Sequence, residues 1–204
     1  MATPGTRKQL RGQAVRRELV AAADGLFTSK GASNVGVDEI AATSGIAKST
    51  LYRWFPTKDD LVVEFLAQRD EAFRRQWDAV AREHAERPLD ELTAQLEWIC
   101  RYIASPRFRG CPFLNTTAEF ADPTHRVRAA ARANKADLRR RLTTLAARLD
   151  VADPAALADQ LVLVIDGAFA TSQVFGDDGP QRRLVDAGRA LVAAARPTER
   201  KDPS

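Results

Sequence analysis

The apolar positions of this chain recur at helical spacing along most of its length. Val15, Leu19, Ala22, Ala23, Leu26 and Phe27 fall on one stripe and predict a first helix. Lys30 in its last turn and Gly31 just beyond supply the cation and the conformationally free residue that end a helix. A short second helix is expected from about Val37 to Thr43, with Val37, Ile40 and Ala41 inward. Asp38 and Glu39 occupy its first turn, where the helix dipole favours acids. Gly45 breaks it. A third short helix, from about Ala47 to Phe55, turns Ala47, Leu51, Trp54 and Phe55 to the core, and Pro56 stops it. Thr57-Lys58-Asp59-Asp60 has the form of a capping box with Thr57 as the cap. It opens a long fourth helix to about Ala81, with Leu61, Val62, Phe65, Leu66, Phe73 and Trp77 inward.

The helical pattern continues beyond Pro88. Leu92, Leu96, Ile99 and Ile103 form one stripe, and Ser105 to Pro112 reads as a break. Leu114 to Ala121 suits a short helix. Asp122-Pro123 opens a longer one, with Val127, Leu138, Leu142, Leu145 and Leu149 inward. Asp153-Pro154 begins a helix ending at Gly176, and Gly179-Pro180 precedes a last one to about Arg196. Strand-like alternation is scarce, and Ala, Leu, Arg and Glu in bulk favour helix. The fold class is therefore all-α, with about nine helices. Residues 12–58 form a three-helix unit and 59–196 a larger helical domain. Residues 1–11 and 197–204 are polar tails expected to be flexible.

Charge changes the picture at one end. The formal net charge is +4. Nine basic residues against four acidic ones lie within the first 58 positions, which leaves the remainder near neutral. A basic end points to a polyanionic partner. Cys100 and Cys111 make no disulfide framework, which fits a reducing compartment. No apolar signal core follows the basic start, and the aliphatic run Leu161 to Ile165 is far shorter than a bilayer span. A cytoplasmic protein with no membrane partner is expected.

Two short helices joined by a glycine turn are a helix-turn-helix arrangement. On the third helix Lys48, Ser49, Thr50, Tyr52 and Arg53 remain outside; each can donate a hydrogen bond and none is acidic. Lys48 and Lys58 both stand at helix starts, where the dipole repels a cation unless an anion docks there. Together these features point to DNA phosphates flanking a groove.

The span Leu19 to Phe65 resembles the DNA-binding domain of the TetR family of bacterial regulators. Phe27, Gly31, Val37, Ile40, Ala41, the run Gly45-Ile46-Ala47-Lys48-Ser49-Thr50-Leu51-Tyr52-Arg53-Trp54-Phe55-Pro56-Thr57-Lys58, and Leu61 and Val62 carry the resemblance. It implies a third helix in the major groove of a double-stranded DNA operator, with Tyr52 and Lys58 on phosphates. The family commonly has Thr or Ser just before Val37. Here Val35 and Gly36 stand there, so a backbone contact would come from the Gly36 or Val37 amide. The family default is a homodimeric repressor released by a small-molecule effector.

The string Gly110-Cys111-Pro112-Phe113-Leu114-Asn115, with Glu119-Phe120, His125-Arg126-Val127-Arg128 and Asp166-Gly167-Ala168, resembles one branch of that family. An effector pocket is implied among the central helices, with Trp98, Tyr102, Cys111, Phe113, Asn115, Phe120, Phe169 and Gln173 as candidates, although each also suits core packing. The helix Ala155 to Phe175 is apolar nearly all round, which suggests one face for its own domain and another for a partner subunit. Ala187, Gly188, Ala190 and Ala194 on the last helix would permit close packing. Asp166, inside that apolar run, reads as a hydrogen-bonded structural carboxylate. The competing classes are a helical small-molecule-binding protein or an enzyme without DNA activity. His84 and His125 lie in no metal-ligand spacing, and no nucleophile elbow, phosphate loop or dinucleotide fingerprint is present. No enzyme, metal or cofactor is expected.

Overall fold

The computed structural model describes residues 4–197, with side chains from residue 12 onward. These residues form nine α-helices and no strand: α1 (Pro4–Lys30), α2 (Val37–Ser44), α3 (Lys48–Trp54), α4 (Lys58–Glu83), α5 (Pro88–Ile103), α6 (Pro112–Glu119), α7 (Arg126–Ala146), α8 (Pro154–Phe175) and α9 (Leu184–Ala195). Two short 3-10 turns, Gly176–Asp178 and Pro180–Arg183, separate α8 from α9.

The helices fall into two compact units. The first comprises residues up to Glu71 together with Pro112–Arg132, and so takes in α6 and the start of α7. The expected boundary between residues 58 and 59 falls inside it. Leu19, Val20, Ala23 and Phe27 of α1 are buried with Ile40, Leu51, Phe55, Leu61, Val62, Phe65 and Leu66. The Phe27 and Phe65 rings meet edge-to-face at 5.6 Å between centroids, a geometry aromatic quadrupoles favour. Gly31 (φ +85°) and Gly45 (φ +67°) end α1 and α2 in the left-handed conformation that only glycine adopts without cost. Thr57 caps α4 as expected. Its backbone N–H donates to Asp60 Oδ2 (2.8 Å) while the Asp60 N–H donates to Thr57 Oγ1 (3.2 Å).

One expectation fails at the start of the chain. α1 begins at Pro4, so residues 4–11 are helical rather than a loose tail. The expectation followed the apolar stripe, which starts only at Val15. A helix can run ahead of the core it serves, and proline is well suited to a helix's first turn. Residues 1–3 and 198–204, also expected as tails, lie outside the described residues.

The second unit comprises Ala72–Cys111 and the residues from Ala133 on. Leu92, Leu96, Ile99 and Ile103 of α5 are buried with Leu157, Leu161, Ile165 and Phe169 of α8 and Leu184 and Val192 of α9. Asp153 caps α8 by accepting from the Ala155 and Ala156 N–H groups, both at 3.0 Å. Gly188, a position that permits close packing, is buried inside this unit. A Cβ there would lie 2.3 Å from Leu96 Cδ1, so the glycine lets α9 approach α5. Asp166 accepts from Lys135 Nζ at 2.5 Å, the structural role expected of it. By length and composition alone α8 is apolar enough to cross a bilayer. That helix is also core: 39% of its most apolar window is buried within the chain.

Candidate nucleic-acid interface

The turn between α2 and α3 is built from local hydrogen bonds. Gly45 reverses the chain in the left-handed region. The Ile46 N–H then donates to Ser44 Oγ (3.3 Å), and the Thr50 and Leu51 N–H groups donate to Ala47 O at 2.8 and 3.1 Å, starting α3. Leu51 and Phe55 anchor α3 in the core. Trp54, half-buried, lies against α1, where a Cβ on Gly12 would approach its Cζ2 to 3.2 Å. Ala47, expected inward, is exposed, because it caps the helix from outside the core-facing turn.

The remaining face of α3 is open. Ser49, Tyr52 and Arg53 are exposed and Thr50 is half-buried. Tyr52 is 42% exposed. Lys48 is exposed as well, but its ammonium lies 2.7 Å from Asp38 Oδ1 on α2. The hydrogen bond that the ammonium donates to Asp38 raises the Lys48 pKa above the ordinary lysine value. Neither α2 nor α3 has a side-chain cap, since Gly36 and Ala47 stand at the capping positions. Gly36 is exposed with φ −84°, and nothing lies within 4 Å of a Cβ placed there. Neither conformation nor space requires a glycine at that site.

Lys58 departs from its expected environment. Its ammonium donates to the carbonyls of Ala32 (3.0 Å), Ser33 (3.2 Å) and Val35 (3.2 Å) in the α1–α2 loop. All three N–H donors are thereby used. The inference that a cation at this helix start needs a docked anion is overturned, because three carbonyl dipoles supply the negative potential. Lys48 likewise has an intrachain carboxylate. What remains of the electrostatic case is the donor face itself.

The same loop has an acidic fastening that the sequence did not disclose. Glu119, the last residue of α6, accepts from the Ser33 N–H at 2.6 Å. Nearby, His125 Nε2 lies 3.2 Å from Asp59 Oδ2, and Arg126 pairs with Asp60. Asp60 is held below the usual carboxylate range, first by its hydrogen bond with Thr57 and then by Arg126. These partners are dozens of residues apart in sequence, so no local pattern announces them.

The expected effector residues do not form one group. Trp98, Tyr102 and Phe169 join Phe73, Trp77 and Phe108 in a chain of ring contacts 5.2–6.2 Å between centroids in the second unit. Gln173, though exposed, lies over Gly110, where a Cβ would sit 2.3 Å from its Nε2. Cys111 is buried. Phe113, Asn115 and Phe120 belong to the first unit, where Phe113 is core and the Phe120 ring lies 4.7 Å from that of His125. A cavity of about 920 Å³ in the second unit is lined instead by residues including Cys100, Ile103, Phe108, Arg109, Ser172 and Gln181. None of the eight expected residues lines it. Burial pushes the Cys100 thiol up, which makes it a poorer nucleophile than a free thiol.

Comparison with known proteins agrees with this arrangement. Residues 19–65 match the bacterial regulatory proteins of the tetR family, and residues 88–187 match the tetracyclin repressor-like C-terminal domain. The HTH-type transcriptional regulator YjdC of Escherichia coli strain K12 is 25% identical over 158 residues, covering 76% of this chain and 81% of YjdC. Among solved structures, a TetR-family transcriptional regulator from Streptomyces coelicolor superposes with a TM-score of 0.85 at 31% identity, covering 90% of this chain and 96% of that one. A TetR transcriptional regulator from Chloroflexus aurantiacus superposes at 0.76 with 26% identity, covering 90% and 94%.

Proposed function

The chain belongs to the tetR family of bacterial regulatory proteins and is a DNA-binding transcriptional regulator; from that premise we propose that it is a cytoplasmic homodimeric repressor, released from a palindromic operator by a small-molecule effector. The observation that carries the DNA reading is the solvent face of α3. Ser49, Thr50, Tyr52 and Arg53 present hydrogen-bond donors, and Asp38 on α2 is neutralised by Lys48. Such a face suits the acceptor-rich edge of the major groove, where an arginine reads guanine bidentately. The Gly36 and Val37 amides at the start of α2 serve one phosphate, Tyr52 another, and Lys48 a third by exchanging its carboxylate for DNA.

The dimer reading rests on α8, where Leu163, Val174 and Phe175 are 72, 77 and 60% exposed. Apolar side chains in such number on one helix favour burial against a second copy. The effector reading rests on the cavity beside Cys100 and Gln181, whose size suits a small ligand. The protein performs no reaction in this reading. Selection of duplexes from a random library by the full chain tests it: an enriched inverted repeat supports the reading, and no enrichment refutes it.

A further inference from the structure

We propose that Glu119 is a positioning residue for DNA binding, fixing from outside the helix-turn-helix the loop that delivers α2 to the phosphate backbone. The inference rests on the DNA reading above. The α1–α2 loop begins at Gly31 and ends at Gly36, just before the α2 amides. Its carbonyls are held at one end, where Lys58 takes those of Ala32, Ser33 and Val35. Its amide side is held by Glu119, whose Oε2 accepts from the Ser33 N–H at 2.6 Å. The two fastenings have opposite polarity and act on the same residue, Ser33. One comes from the start of α4, just after the helix-turn-helix, and the other from the end of α6, 86 positions along the chain from Ser33.

The loop is shaped to receive this carboxylate. A Cβ on Gly31 would stand 3.0 Å from Glu119 Oε1 and 3.2 Å from Cδ. Glycine at 31 therefore serves twice: it adopts φ +85° and leaves the room in which Glu119 sits. The segment that follows is bound to the start of α4 by the His125–Asp59 and Arg126–Asp60 pairs, so the end of α6 is not a free arm. With Gly36 offering no side-chain cap to α2, the direction of its first amides depends on this loop. Loss of the Glu119 bond frees the Ser33 amide, leaving the loop held on its carbonyl side alone, and loosens the α2 amides, which costs affinity through lost preorganisation rather than a lost DNA contact.

The test compares wild type, Glu119→Ala and Glu119→Gln as full chains. The probe is a duplex that the wild type enriches from a random-sequence library. Glu119→Ala is expected to bind it about three- to tenfold more weakly, with an unchanged slope of log affinity against log salt, because no phosphate contact is removed. Its Ser33 amide proton should move upfield in the nitrogen–proton correlation spectrum. Glu119→Gln keeps a carbonyl oxygen at the same place and should restore both the signal and most of the affinity. Equal binding by wild type and Glu119→Ala, or weaker binding with an unmoved Ser33 signal, overturns the inference alone. If the wild type enriches no duplex, the DNA reading fails and the inference falls with it.

Discussion

Lys48 on α3 and Asp38 on α2 form an ion pair 2.7 Å long across the helix-turn-helix. Both side chains are exposed, so solvent screens the pair and folding gains little from it. In the proposed DNA-bound state, a phosphate competes with Asp38 for this ammonium. Asp38→Asn is expected to strengthen binding to selected and random duplexes alike, and to steepen the salt dependence by up to about one unit of log–log slope. Melting of the free protein should hardly move. Weaker binding by Asp38→Asn would show that the pair orients Lys48 rather than occupying it.

Arg53 and Ser49 stand exposed on the same face of α3. If they reach base edges, Arg53→Ala and Ser49→Ala each cost roughly 1–3 kcal/mol on the preferred duplex and relax base preference at one position. Binding to random DNA should fall much less for Ser49→Ala. Sequence selection repeated with each variant reads the change. Wild-type preference in both would mean that a different face of α3 meets the groove.

Lys58 is expected to matter first for folding. Lys58→Ala removes three hydrogen bonds from an ammonium to loop carbonyls and leaves those carbonyls to water. A loss of about 1–2 kcal/mol follows for a partly exposed cluster of this kind. Lys58→Arg should not restore it, because a planar guanidinium cannot point three donors along the same directions. Thermal melting decides between this and a purely DNA-facing lysine, for which melting would stay constant or rise.

The capping site before α2 offers a gain. Gly36→Ser should fold at least as stably as wild type, by a few tenths of a kcal/mol, because the backbone is extended and the space around a Cβ is open. If the α2 start meets a phosphate, the added hydroxyl should also tighten DNA binding. Reduced melting temperature would contradict the open geometry.

Acid should loosen the first unit. The Asp60 pKa is depressed by Thr57 and Arg126. A carboxyl whose folded pKa is lowered stabilises the fold above its unfolded pKa, near 4, and that contribution is lost as pH falls through the lower folded value. Melting followed downward from about pH 5 should therefore fall less steeply for Asp60→Asn than for wild type. Parallel curves would mean that Asp60 bears none of the acid sensitivity.

What could be read from the sequence was local. The α1 stripe, the glycines at 31 and 45, the Thr57 box and the Asp153-Pro154 helix start are each written within a few adjacent residues, and each stands as expected. Ala47 was misplaced because a helix cap stands outside the periodicity that fixes the residues after it. The start of α1 was missed because no apolar side chain marks a helix running beyond its core. Lys58 shows a deeper limit: a dipole argument notices that a cation needs negative potential but cannot say whether carbonyls or a phosphate provide it. The Glu119–Ser33 bond and the cavity walls join distant stretches of chain, and only the folded path brings those residues together.

The central claim is that α3 reads DNA as part of a symmetric pair. Selection from a random-sequence duplex library by the full-length chain, with sequencing of the bound fraction, tests it most directly. The expected result is an inverted repeat whose half-sites lie roughly 34–36 Å apart, or a multiple of that spacing, with Arg53→Ala degrading one position in each half. Enrichment of a single unrepeated half-site, or of no sequence at all, would contradict it.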